Sequence, residues 1–244
     1  METKKQRIEI IDATRGLAVA LMVAHHALYD MQAFLGAPEW FYHNPVFNVL
    51  QVIFVGLFMF VSGISSRFSR GNIERGVKAL LLGVAISYVS IRILDMPILF
   101  GILSVLGTFM LFYGVTRKFW DNIPAKLAIT LYIALIILSV LALRLFSPTS
   151  EIPAVRDILY VLGWNQQGYI SFDHQTILPG IFVFLLGTRI GEYVKDGKLP
   201  QWFYEKKFPF FPVVGRNALL IYILHQPVLY GITLLIMYLQ GATV

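Results

Sequence analysis

Seven apolar stretches alternate with short polar connections along the chain, at residues 8 to 29, 46 to 66, 77 to 94, 98 to 115, 124 to 146, 177 to 194 and 214 to 238. Each has roughly the 20 residues that an α-helix needs to cross a hydrocarbon core about 30 Å thick. The pattern predicts an all-α, polytopic integral membrane protein of about seven transmembrane helices, folded as one embedded domain over residues 1–244. Asp95-Met96-Pro97 reads as a tight outer turn between the third and fourth spans. The longest stretches outside the membrane are the loops 30 to 45 and 147 to 176.

Charge turns this pattern into a topology, because connections rich in Lys and Arg stay in the cytoplasm. Seventeen of the 20 basic residues fall on the side of the N-terminus and the second, fourth and sixth connections, and only Arg92, Arg144 and Arg156 fall on the other. The expected orientation is therefore N-terminus inside and C-terminus outside, as a multi-pass protein of the cell membrane. A cleaved signal peptide also begins basic and turns apolar. Asp12 and Arg15 inside the first segment, His25 and His26 at its far end, and the lack of a small-x-small cleavage site argue for a retained helix instead.

Composition narrows the function. The chain is 57% hydrophobic and 14% charged with a mean hydropathy of +0.69, where soluble domains carry about 25% charged residues. With no cysteine, a disulfide scaffold and a zinc ribbon are excluded. The net charge of +6 does not indicate nucleic acid, because the basic residues are spread between membrane segments instead of gathered on one soluble face.

Ionisable side chains at membrane depth cost about 2.5–3.5 kcal/mol each on insertion scales, so they are functional candidates. Arg15 and His26 are eleven residues apart on the first helix, which returns them to within about 20° of one another and separates them by about 16 Å along the axis. A guanidinium toward the cytoplasm and an imidazole toward the exterior would line one path. Arginine grips phosphate oxygens in pairs, and histidine serves as general base near neutral pH. The pair suits a long donor with a phosphate-bearing head and a reactive tail, of which acetyl-coenzyme A is the obvious example. Asp30, one turn beyond His26, is placed to orient the imidazole. The plain alternative is an Asp12–Arg15 pair that anchors the helix at the inner interface.

The other histidines divide in the same way. His25 points about 100° from His26 and reads as packing. His43 lies in an aromatic outer loop, Trp40-Phe41-Tyr42-His43-Asn44, where interfacial rings are ordinary. Asp173 and His174, just before the sixth span, offer a carboxylate and an imidazole to an acceptor at the outer surface. His225, beside Gln226 and Pro227 in the last span, suits an interhelical hydrogen bond as well as catalysis.

Four segments, in order, resemble the membrane family named after the catalytic domain of heparan-α-glucosaminide N-acetyltransferase. They are Arg7-Ile8-Glu9-Ile10-Ile11-Asp12-Ala13-Thr14-Arg15-Gly16-Leu17-Ala18, then Leu21-Met22-Val23 and His26; Phe60-Val61-Ser62-Gly63-Ile64-Ser65; Leu178-Pro179-Gly180-Ile181-Phe182-Val183-Phe184-Leu185-Leu186-Gly187; and Val214-Gly215-Arg216-Asn217-Ala218-Leu219-Leu220-Ile221-Tyr222-Ile223-Leu224-His225-Gln226-Pro227-Val228-Leu229. The start is also similar to acyltransferase family 3, in which the histidine on that helix is assigned the catalytic role. The resemblance implies acetyl transfer from cytosolic acetyl-CoA to an amine or hydroxyl of an extracytoplasmic glycan or lipid-linked sugar, without a metal.

On that reading His26 carries the chemistry, with His43 as its rival because the lysosomal branch puts the acting histidine in this outer loop. Asp30 or Asp173 orients the base. Arg15 and Arg216, with Asp12, Asn217 and His225, form the set assigned to the coenzyme. These relatives have about ten or eleven spans against seven here, so the acceptor-binding half is expected to be either reduced or supplied by a second chain, as in a homodimer. Their Gly-Ile-Leu-His run is Gly101-Ile102-Leu103-Ser104 here. The rivals to an acyltransferase are a transporter or channel-like subunit that uses the Arg15, His26 and His225 path, and a haem protein with axial histidines.

Overall fold

The computed structural model describes residues 7–92 and 97–241, and among these every regular element is a helix. In chain order they are α1 (Glu9–Phe34), a 3-10 turn (Glu39–Phe41), α2 (Pro45–Phe68), α3 (Asn72–Arg92), α4 (Ile102–Asp121), α5 (Ala125–Leu145), α6 (Pro153–Leu162), α7 (Gly180–Lys195), α8 (Gln201–Glu205), α9 (Phe211–Arg216) and α10 (Ala218–Leu239). Among the described residues, four segments are long and apolar enough to cross a membrane: Glu39–Phe68, Ile102–Asp121, Ala125–Leu145 and Ala218–Leu239. They correspond to the expected spans at 46 to 66, 98 to 115, 124 to 146 and 214 to 238.

The other three expected spans are helical but carry features that set them apart. α1 holds Glu9, Asp12, Arg15 and Asp30 within its 26 residues, and α3 holds Glu74, Arg75, Lys78 and Arg92 within its 21. α7 has 16 residues, about 24 Å of helix at 1.5 Å per residue, short of the hydrocarbon thickness. The turn expected at Asp95-Met96 lies outside the described residues, as do Lys4 and Lys5 of the basic N-terminus. The 147 to 176 loop contains α6, which begins with Pro153 in its first turn and stops at Gly163, whose φ of 128° a side chain would resist. The last span is interrupted at Asn217, whose side-chain amide donates to the Val213 carbonyl at 2.9 Å and so competes with the helical bonding there.

Two compact units share the chain: Met1–Val61 with Leu199–Val244, and Ser62–Lys198. In the first, α1 packs along α9 and α10 and touches α8 and the 3-10 turn. The α1–α9 crossing is backbone against backbone. A methyl on Gly16 would run into the Phe211 carbonyl oxygen and lie 2.9 Å from the Gly215 nitrogen; one on Gly215 would run into the Asp12 carbonyl oxygen. Small residues make such an approach possible, and in lipid close packing is what holds helices together.

In the second unit, α3 packs on α4, and α7 packs on α5 and α4. The end of α2 joins them, with Gly63 set against the Phe184 carbonyl and Gly191 against Ile64. Phe109, Tyr113, Tyr132 and Phe184 are wholly buried there. Arg67, 8% exposed, donates to the Tyr113 hydroxyl at 2.8 Å and pairs with Asp121 and with Glu192 at 2.9 Å. Arg189, 2% exposed, pairs with Glu192 at 2.9 Å and donates to the carbonyls of Trp120 and Ile123. This network ties the ends of α2, α4 and α7 together.

Candidate active site

In the first unit, polar side chains on α1 meet α9 and α10 at three levels. Nearest the start of α1, Arg15 Nη1 lies 3.2 Å from Asp12 Oδ1 and 3.5 Å from the Gly215 carbonyl oxygen. Arg216 and Asn217 follow that carbonyl and are exposed. Three turns further, the His26 ring faces the His225 ring at 5.0 Å between centroids. His225 Nδ1 is 2.6 Å from the Tyr222 carbonyl oxygen. A carbonyl only accepts, so that nitrogen carries the proton. One turn beyond His26, Gln226 Nε2 donates to both carboxylate oxygens of Asp30, at 3.0 and 3.2 Å, and Asp30 is 1% exposed.

The helical spacing expected of Arg15 and His26 is thus reproduced, since both meet the α9–α10 arm. The hydrogen bonds from Gln226 tie the Asp30 carboxylate to α10. Between Arg15 and His26, Ala18 and Val19 are each 2% exposed, and Met22 is half-buried.

His25, read from its angle on the helix as packing, is buried but not merely apolar in its surroundings. Its ring lies 4.9 Å from Tyr42, 5.7 Å from Phe54 and 5.9 Å from His26. It also lines a small cavity of about 40 Å³ with Leu21, Ala24, Leu28, Phe47, Leu50 and Phe54. Tyr42 continues to Tyr29 at 5.3 Å and to His43 at 5.0 Å. His43 is exposed, held by its backbone N–H to the Glu39 carbonyl at 2.8 Å. No pattern in the sequence announced the His25–Tyr42 contact, because it joins a helix face to a loop whose conformation periodicity does not describe.

Asp173 and His174 belong to the second unit. Asp173 accepts from Gln175 Nε2 at 2.9 Å. His174 stacks on Tyr160 at 3.9 Å, and its two nitrogens face the carbonyl oxygens of Leu99 at 3.2 Å and Tyr160 at 3.1 Å. The ring therefore ties Leu99 to α6. Burial pushes the Tyr160 hydroxyl above its usual range, and the hydrogen bond to Asp157 does the same for Tyr169. A second cavity, about 260 Å³ between α4 and α7, is walled by apolar side chains such as Phe109, Phe112, Trp120 and Phe182. Among the described residues, no group of three His, Asp or Glu side chains is close enough to hold a metal ion.

The four segments singled out in the sequence pair off in space. The first and last meet across α1 and α9–α10, and the second and third meet where Gly63 abuts Phe184. Comparison with known families finds one whose sequence pattern, described as heparan-alpha-glucosaminide N-acetyltransferase, catalytic, matches residues 7–227. That stretch includes all nine residues nominated for chemistry or coenzyme binding. Neither curated proteins nor solved structures yield a match.

Proposed function

The chain belongs to the heparan-α-glucosaminide N-acetyltransferase catalytic family, and from that premise we propose that it is a membrane-embedded acetyltransferase. It takes acetyl from acetyl-CoA on the cytoplasmic side and delivers it to an amine or hydroxyl of a glycan or lipid-linked sugar on the far side. In this reading α1, α3 and α7 complete seven crossings, the N-terminus is inside, the C-terminus is outside, and both units act as one domain. The family match running through both units supports the last point.

The observation that carries the proposal is the succession of polar contacts along α1: Asp12–Arg15–Gly215, His26–His225 and Asp30–Gln226. Ionisable groups held at such depth are costly and are kept where they act. Arg15 and Arg216, with Asp12 and Asn217 beside them, bind the phosphates of the donor. His26 takes the proton of the attacking hydroxyl or amine as that atom bonds to the thioester carbon. The carbon–sulfur bond breaks, and the thiolate leaves as coenzyme A. His225 carries its proton on Nδ1 and stands by as the neighbouring imidazole.

The test is thiol release from acetyl-CoA by the purified chain in vesicles, with coenzyme A binding measured beside it. General-base catalysis contributes about 10²–10⁴-fold, so His26→Ala should lower turnover by that factor and leave coenzyme A binding intact. Turnover unchanged in that variant removes His26 from the mechanism. The chain has no cysteine, so single introduced cysteines at Arg70, Lys198 and Glu151 read sidedness directly by impermeant labelling. The proposed topology requires the first two inside and the third outside.

A further inference from the structure

Four of the chain's five histidines stand in one run of rings in the first unit. Centroid to centroid, His225 is 5.0 Å from His26, His26 is 5.9 Å from His25, His25 is 4.9 Å from Tyr42, and Tyr42 is 5.0 Å from His43. Consecutive residues on a helix point about 100° apart. His26 therefore faces α10 while His25 faces Phe54 of α2 and the outer loop, and the pair carries the run from one side of α1 to the other. Burial falls along it, from His25 at 7% exposure to His43 in the open.

We propose that His25 and Tyr42 are positioning residues that join His26 to His43 in one proton path from the buried imidazole to the outer surface. This rests on the acetyltransferase reading, and under it His26 and His43 are the two ends of one device and not rivals. Where a nitrogen or hydroxyl of one ring comes within hydrogen-bond reach of the next, a proton passes directly or through a single bridging water. Imidazole can take a proton on one nitrogen and release one from the other, and a phenol hydroxyl accepts on one side as it donates on the other.

The O–H or N–H bond of the acceptor breaks and its proton goes to His26; the acceptor atom bonds to the acetyl carbon; the carbon–sulfur bond breaks. The proton then moves through His25 and Tyr42 to His43 and into water, while the departing thiolate takes a proton from solvent on its own side. The groups facing the run are Tyr29 and Asp30 on α1, Tyr222 and Gln226 on α10, Glu39 in the loop and the apolar Phe54 on α2. Asp30 is held by Gln226.

Tyr42→Phe is the decisive variant, since it removes one oxygen and keeps the ring; His25→Gln is the second. Thiol release from acetyl-CoA with water as acceptor is measured in the full chain across pH, with and without added imidazole as a mobile proton carrier. The expected result is a fall in kcat of about tenfold or more in each variant, KM for acetyl-CoA unchanged, a shifted pH profile, and recovery with imidazole. Wild-type kcat in both variants, or a loss that imidazole does not restore, overturns the path while leaving acetyl transfer standing. A wild-type chain that releases no thiol overturns acetyl transfer. The linkage is then read from the titration of ¹⁵N-labelled histidines, which Tyr42→Phe must alter at His25 and His43; unaltered titration overturns it.

Discussion

Gly16→Ala tests the feature on which the candidate site is built, the contact between α1 and α9. A methyl at Gly16 meets the Phe211 carbonyl oxygen and comes within 2.9 Å of the Gly215 nitrogen. Both obstacles are backbone, so no side chain can swing aside, and the two helices must separate. Overpacking of this kind costs about 1–3 kcal/mol and sometimes more, and backbone obstacles put it at the upper end. Alanine returns about 1 kcal/mol of helix propensity over glycine, which leaves a net loss of about 2 kcal/mol. Gly56 and Gly231 are the controls, because a methyl on either meets nothing within 4 Å. There the propensity gain stands alone, and Gly231→Ala should be neutral or more stable by about 0.5–1 kcal/mol. The assay is reversible unfolding in mixed detergent followed by helical circular dichroism, with Gly215→Ala run as the partner of Gly16→Ala. If Gly16→Ala and Gly231→Ala unfold alike, the close crossing is not what holds the first unit together and the reasoning fails.

Arg67→Met removes the guanidinium shared by Tyr113, Asp121 and Glu192. Breaking a buried pair costs about 3–5 kcal/mol, and the lower end applies because Asp121 keeps Arg117 and Glu192 keeps Arg189; a loss under about 1 kcal/mol in the same unfolding assay would refute a central role for the network. On the surface, the hydrogen bond from Lys198 holds the Asp196 carboxyl below its usual 3.8. A depressed carboxyl contributes stability that is complete above 3.8 and is lost as pH falls through the folded value. Carbon-13 titration of Asp196 should therefore move up toward 3.8 in Lys198→Ala, and an unmoved carboxyl would show that the pair does not form.

Helix content, the apolar spans now seen in α2 and α5, and the shared face of Arg15 and His26 are all properties of short windows of sequence, and periodicity discloses them without reference to the rest of the chain. The four family segments were legible for the same reason. α6 was not: its ten residues are too few for a spanning stretch, and it emerges as a helix between Pro153 and Gly163 within what reads as loop. Nor was the partner of Asp30, which is Gln226, 196 residues away. The neighbour of His25 is Tyr42, beyond the end of its helix. A hydrophobic period tells which face of a helix differs from the others and is silent on what will cover that face. Which side chains meet across α1 depends on which backbones can come close. Glycines at 16 and 215 permit that approach, and only the assembled helices select it.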